Sequence, residues 1–184
     1  MNLFDQLEVH PDLPLITVGQ RTWSRGEFLD QCRQASRRVA AQTGIDRDQF
    51  AILLSEDPIE LYAYLLALLA EGCRICLPTR ESLAGPEGYF QFTAQTIRPG
   101  QAGLTVSDCG GRRPGEAAAG NLVVFSSGST GRPKGIIHDW EDFLANAEAV
   151  VQAIGEDRPC NVTYLKPYLV SAISHFLVHA RLEG

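Results

Sequence analysis

The chain has 184 residues, 45% hydrophobic and 21% charged, enough for one domain with a true core or for two small subdomains, and too apolar for wholesale disorder. Its formal net charge is −6, with no long run of like charge, which argues against nucleic acid and anionic membranes as partners. Five scattered cysteines and an N-terminus without a secretory signal predict a cytoplasmic protein with reduced thiols.

Leu15-Ile16-Thr17-Val18 predicts a short strand, and Gly19-Gln20 a turn into Arg21-Thr22-Trp23. Ser24 and Glu27 have capping-box spacing, and Phe28, Cys32, Ala35 and Val39 form one stripe of a helix ending near Gly44. Phe50 to Leu54 is a continuous apolar run, as in a strand covered on both faces. Pro58 suits the first turn of a helix over Ile59 to Ala70, the longest apolar run and too short to cross a bilayer, which Gly72 can end. Arg74 to Leu77 is a third strand, stopped by Pro78. This strand–helix alternation predicts an α/β fold of layered, mostly parallel sheet with helices on both sides.

Residues 81–119 read as an irregular junction between an N-terminal subdomain, 1–80, and a second one, 120–184, that is incomplete at its C-terminal end. The stretch from 79 to 119 holds seven glycines and three prolines, with a short helix expected from Tyr89 to Gln95. The pattern resumes with a buried-type strand, Leu122 to Phe125, and a returning strand, Ile136 to His138. Asp139 can cap a helix carrying Trp140, Phe143, Leu144, Ala147, Val150 and Val151 on one face, ended by Gly155. Val162 to Leu165 predicts a strand, and Ser171 to Leu182 a last helix.

Between the two strands of the second subdomain lies Ser126-Ser127-Gly128-Ser129-Thr130-Gly131-Arg132-Pro133-Lys134-Gly135, with four hydroxyls, three glycines and one of only two lysines. Glycines let successive N–H groups converge into an anion-binding nest. Hydroxyls add donors and can ligate the Mg²⁺ that accompanies a nucleotide, and a lysine supplies a point charge for phosphate oxygens. The stretch is not a Walker A loop, because the lysine comes three residues after Gly131 and precedes a strand rather than a helix. On composition alone, a solvent-exposed hairpin turn remains an equal alternative.

The full pattern, strand-[ST]-S-G-[ST]-T-G-x-P-K-G, resembles the signature of the adenylate-forming superfamily: acyl- and aryl-CoA synthetases, nonribosomal-peptide adenylation domains and luciferases. Arg21 to Phe28, Phe50 to Pro78 and Asn146 fall where that family has matching segments, so the resemblance runs the length of the chain. It implies that Ser126, Ser127, Gly128, Ser129, Thr130, Gly131 and Lys134 hold the pyrophosphate end of ATP, with Thr130 as a candidate Mg ligand. It further implies a carboxylic acid substrate and a thiol acceptor, coenzyme A or a carrier protein. The family's adenine, ribose and C-terminal lysine motifs are absent from these 184 residues. The chain is therefore expected to be a truncated part of such an enzyme, inactive alone, and either to self-associate or to need a complementing chain. The alternative is a non-catalytic nucleotide- or partner-binding module, or one half of a split enzyme. Val170 stands where the family commonly has a histidine.

Three sharper signals are set aside. Cys73 and Cys76 have CxxC spacing, but on a strand residues three apart point to opposite faces. His175 and His179 share a helix face without a third ligand, and His138 at a strand end reads as structural.

Overall fold

Strands β3 (Phe50–Leu53) and β4 (Arg74–Leu77) are apolar on both faces and pair in parallel, with Ala51 opposite Ile75. The computed structural model describes residues 3–78, 93, 95–110, 120–126, 134–154 and 167–182. Between those strands runs α3 (Pro58–Ala70), with Asp57 as its cap: one carboxylate oxygen accepts from the amides of Ile59 and Glu60 at 2.8 and 3.2 Å. Pro58 fills the first helical position, where no amide hydrogen is needed. Ten of its thirteen residues are buried, and fully burying each leucine contributes about 1.5–3 kcal/mol. Burial holds this helix.

Two more strands extend the parallel core. β5 (Gln95–Gly100) joins the free side of β3, and β7 (Leu122–Ser126) joins β4. Each carries an antiparallel neighbour, β6 (Gly103–Asp108) on β5 and β8 (Lys134–His138) on β7. The order is β6-β5-β3-β4-β7-β8, an α/β sheet with four parallel strands at its centre and antiparallel edges.

The first strand departs from the expected topology. β1 (Pro14–Val18) stays out of this sheet and pairs antiparallel with β2 (Arg21–Ser24) in a ribbon of two. The reason lies in Gly19, whose φ of +63° turns the chain straight back. The ribbon delivers Ser24 to the start of α2 (Arg25–Ala40), where the capping box forms: Glu27 N–H donates to Ser24 Oγ at 3.2 Å, and Ser24 N–H to Glu27 Oε2 at 2.9 Å. The predicted stripe Phe28, Cys32, Ala35 and Val39 is buried, although the helix stops at Ala40, before Gly44.

Residues 95–108 also differ from expectation, since β5 and β6 form a hairpin where the sequence predicts an irregular path, and Gln95 belongs to a strand. Pro99, Gly100 and Gly103 obscured the alternation of Ile97 with its polar neighbours. The strand tolerates Pro99 near its end, where it faces Leu104 at the hairpin turn. Tyr89, Gly155 and the expected strand Val162 to Leu165 lie outside the described residues.

The core divides by sheet face. Ala51, Leu53, Ile75, Leu77, Ile97, Leu122 and Val124 join one cluster with α1 (Leu3–Val9), α2, α3, α4 (Trp140–Ile154) and α5 (Val170–Arg181). Phe50, Ile52, Leu54, Cys76, Val123 and Phe125 form a second cluster of sheet-strand residues and Leu54 at the end of β3. α5 is tied to the start of α2 by Arg25, whose guanidinium donates to the carbonyls of His179 and Leu182. No described helix is long and apolar enough to cross a membrane.

Candidate functional site

Four parallel strands put all their carboxyl ends on one side, and open α/β sheets bind ligands outside that side. β7 ends there at Ser126, and β8 leaves from there at Lys134. The two residues are paired across the hairpin. The motif thus begins and ends on two hydrogen-bonded strands, as the sequence predicts. Ser127, Gly128, Ser129, Thr130 and Gly131 lie outside the described residues, as does the side chain of Ser126.

Lys134 is exposed at the start of β8. Among the described residues no carboxylate pairs with it; the four ion pairs there involve Arg21, Arg33 and Arg47. A lysine charge at a strand end is suited to an anion.

The hairpin that carries Ser126 and Lys134 is pinned at its other end by Gly120 and Asn121. Gly120 has φ +105°, and a β-carbon there would stand 2.6 Å from the His138 carbonyl oxygen. Asn121 N–H donates to that same oxygen at 3.0 Å. Its own carbonyl accepts from Ile75 on β4, and its side-chain oxygen accepts from Trp140 N–H at 2.8 Å, at the start of α4. One residue joins β4, β8 and α4. Sequence reading passed over it; the Gly-Asn pair before an apolar run was the available signal.

His138 sits at this far end, opposite Leu122, its ring edge-on to Phe143 at 5.2 Å. It is remote from Ser126 and belongs to the packing. The cysteine pair separates as expected, Cys73 joining the helix-side cluster and Cys76 the opposite one. Burial pushes both thiols up from their ordinary values, which makes them poor nucleophiles and poor metal ligands. No group of three His, Cys, Asp or Glu able to hold a metal occurs among the described residues.

Solved structures of a coenzyme A synthetase and of an N-terminal subdomain share this fold. O-Succinylbenzoate coenzyme A synthetase from Bacillus subtilis, in complex with ATP and a magnesium ion, superposes with a TM-score of 0.68 at 15% identity over 97% of this chain and 54% of that one. The N-terminal subdomain of Klebsiella oxytoca NpsA, in complex with 3-hydroxyanthranilyl-AMSN, gives 0.69 at 19% identity over 98% and 50%. The chain spans about half the length of these structures. Among curated proteins, the nonribosomal peptide synthetase ftmPS of Neosartorya fischeri is 36% identical over 72 residues, 39% of this chain and 3% of that protein. No family model matches the chain.

Proposed function

We propose that these residues are the phosphate-binding, N-terminal part of an ATP-dependent ligase that activates a carboxylic acid as its acyl-AMP. The observation that carries this reading is the Ser126–Gly135 motif, mounted between β7 and β8 at the carboxyl end of the parallel strands. The fold likeness to a CoA synthetase in complex with ATP and magnesium, and to the NpsA N-terminal subdomain, supports it. In the reaction, a carboxylate oxygen attacks the α-phosphorus of ATP, the bond to the bridging oxygen breaks, and pyrophosphate leaves. In a later step the thiol of coenzyme A or of a carrier-protein pantetheine attacks the acyl carbon, a thioester forms, the acyl–phosphate bond breaks and AMP leaves.

The work of this chain is to hold the leaving group. Ser126, Ser127, Gly128, Ser129, Thr130 and Gly131 offer amide and hydroxyl donors to the β- and γ-phosphates, and Lys134 adds a positive charge. Phosphoryl chemistry of this kind rests on positioning and charge stabilisation. The donor set also fits Mg²⁺ arriving with the nucleotide. That ion keeps most of its ligands as water and phosphate oxygen, so one protein hydroxyl, from Thr130, is enough, and an acidic cage is not required. When bound, it would neutralise charge on the phosphates.

The test is ATP–pyrophosphate exchange in the complete protein. Thr130→Ala and Lys134→Ala are each expected to lower kcat for adenylate formation by about 10²–10³. Rates within a few-fold of wild type for both variants would contradict the assignment.

A further inference from the structure

Gly135 sits inside a strand, where glycine is intrinsically unfavourable and calls for a specific reason. Its partner across the hairpin is Phe125. A β-carbon built on Gly135 would meet Phe125 Cε1 at 3.0 Å and Val123 Cγ1 at 3.0 Å, so both side chains lie across the space that a larger residue would use. Phe125 and Val123 are each 3% exposed and belong to the second sheet-face cluster with Phe50, Ile52, Leu54 and Cys76. Their burial limits how far they can yield. One residue away on either strand stand Ser126 and Lys134, themselves paired.

We propose that Gly135 is a positioning residue for Ser126 and Lys134: the Phe125 ring seated over its bare backbone fixes where the two strand ends stand relative to each other. The idea rests on the phosphate-binding reading above for its consequence, though not for its geometry. Two constraints define the hairpin. At the far end the Gly120 contact with the His138 carbonyl and the Asn121 bonds set the register. At the near end the Phe125–Gly135 contact sets the approach of the strands. A β-carbon at position 135 requires Phe125 and Val123 to give by a few tenths of an ångström, and a larger side chain requires more, met by movement of the ring or of β8, which carries Lys134. Because strands favour valine over glycine, backbone preference and the steric contact make opposite predictions for Gly135→Val.

The experiment uses the 184-residue chain with Gly135→Ala, Gly135→Val, Phe125→Leu, and the pair Phe125→Leu/Gly135→Val. The cross-strand contact between Ser126 and Lys134 is read by NMR, thermal stability by calorimetry, and inorganic pyrophosphate binding by titration with magnesium. Gly135→Val should lose the Ser126–Lys134 contact and lower the melting temperature. Where the wild type binds pyrophosphate, the variant should bind it more weakly. Shrinking the ring in the double variant should restore the contact and much of the affinity. Gly135→Ala, which asks for a shift of only a few tenths of an ångström, should remain folded and show a smaller change in the same direction. Retention of the contact with an unchanged or raised melting temperature in Gly135→Val would overturn the proposal, as would failure of Phe125→Leu to rescue. If the wild type binds no pyrophosphate while the variants disturb the contact as described, the phosphate reading fails and the strand-end interlock stands.

Discussion

His179 illustrates how a side chain can titrate against the fold that holds it. Burial first, and the neighbouring His175 second, lower its pKa below the ordinary imidazole value. In the unfolded chain the same group titrates near about 6.5. Between the lowered folded value and about 6.5, the unfolded state therefore binds more protons, and stability rises with pH across that window. Acidifying from neutrality should weaken the fold before the carboxylates begin to protonate. Denaturant midpoints of wild type and His179→Gln, measured from about pH 7 to 5.5, check this: the variant should show a flatter dependence, and parallel curves would refute it. Cys32 shows the same cause acting on a thiol, which burial pushes up to about 12.

At the scale of elements, local chemistry predicted helices better than it predicted strand partners. The capping box at Ser24 and Glu27 and the proline after Asp57 each close within four residues, so the sequence displays them whole. A strand's partner is chosen elsewhere in the chain, which is why β1 read as part of the parallel sheet and β5–β6 went unread. The candidate site followed the same rule: its hydroxyls, glycines and Lys134 form one contiguous motif, whereas Asn121 and the cross-strand role of Gly135 needed coordinates. Glycines separate by environment in the same way. Gly72 has φ +75° and open space for 4 Å around the point where a β-carbon would stand, whereas Gly120 combines φ +105° with a backbone oxygen at 2.6 Å. Alanine at Gly72 should cost about 1 kcal/mol from backbone strain alone, and alanine at Gly120 distinctly more. Chemical denaturation of both variants gives the order; equal losses would show that the His138 carbonyl moves aside freely.

At the scale of the whole molecule, the exposed large hydrophobic residues of the main sheet, among the described residues, lie on its β8 edge. Ile136 and Ile137 are 48% and 41% exposed on opposite faces of β8, which among the described residues pairs with a strand on one side only. Exposed apolar edges favour pairing with another strand, and a net charge of −6 opposes it only over a Debye length of about 8 Å at physiological salt. The isolated 184-residue chain is expected to associate in a concentration-dependent way, and Ile137→Lys should reduce that association. Light scattering over a dilution series measures both. A wild-type chain that stays monomeric throughout would show that this edge is protected.

The bonds from Arg25 to the carbonyls of His179 and Leu182 span 154 and 157 positions of sequence. They fasten the start of α2 to the end of α5, and so enclose most of these 184 residues in a single loop. Closing so long a loop is entropically unfavourable, and contacts of high sequence separation form late and slow the search for the native state. During synthesis at roughly 5–20 residues per second, α2 and α3 can emerge and pack many seconds before their distant partner exists. Until then the Arg25 guanidinium has no helix end to bind, and the ring of Phe28 waits for Phe176, its edge-on neighbour at 5.2 Å. Folding of this chain on the ribosome is thereby biased to finish only after residue 182 has left the exit tunnel, however early its sheet begins to form.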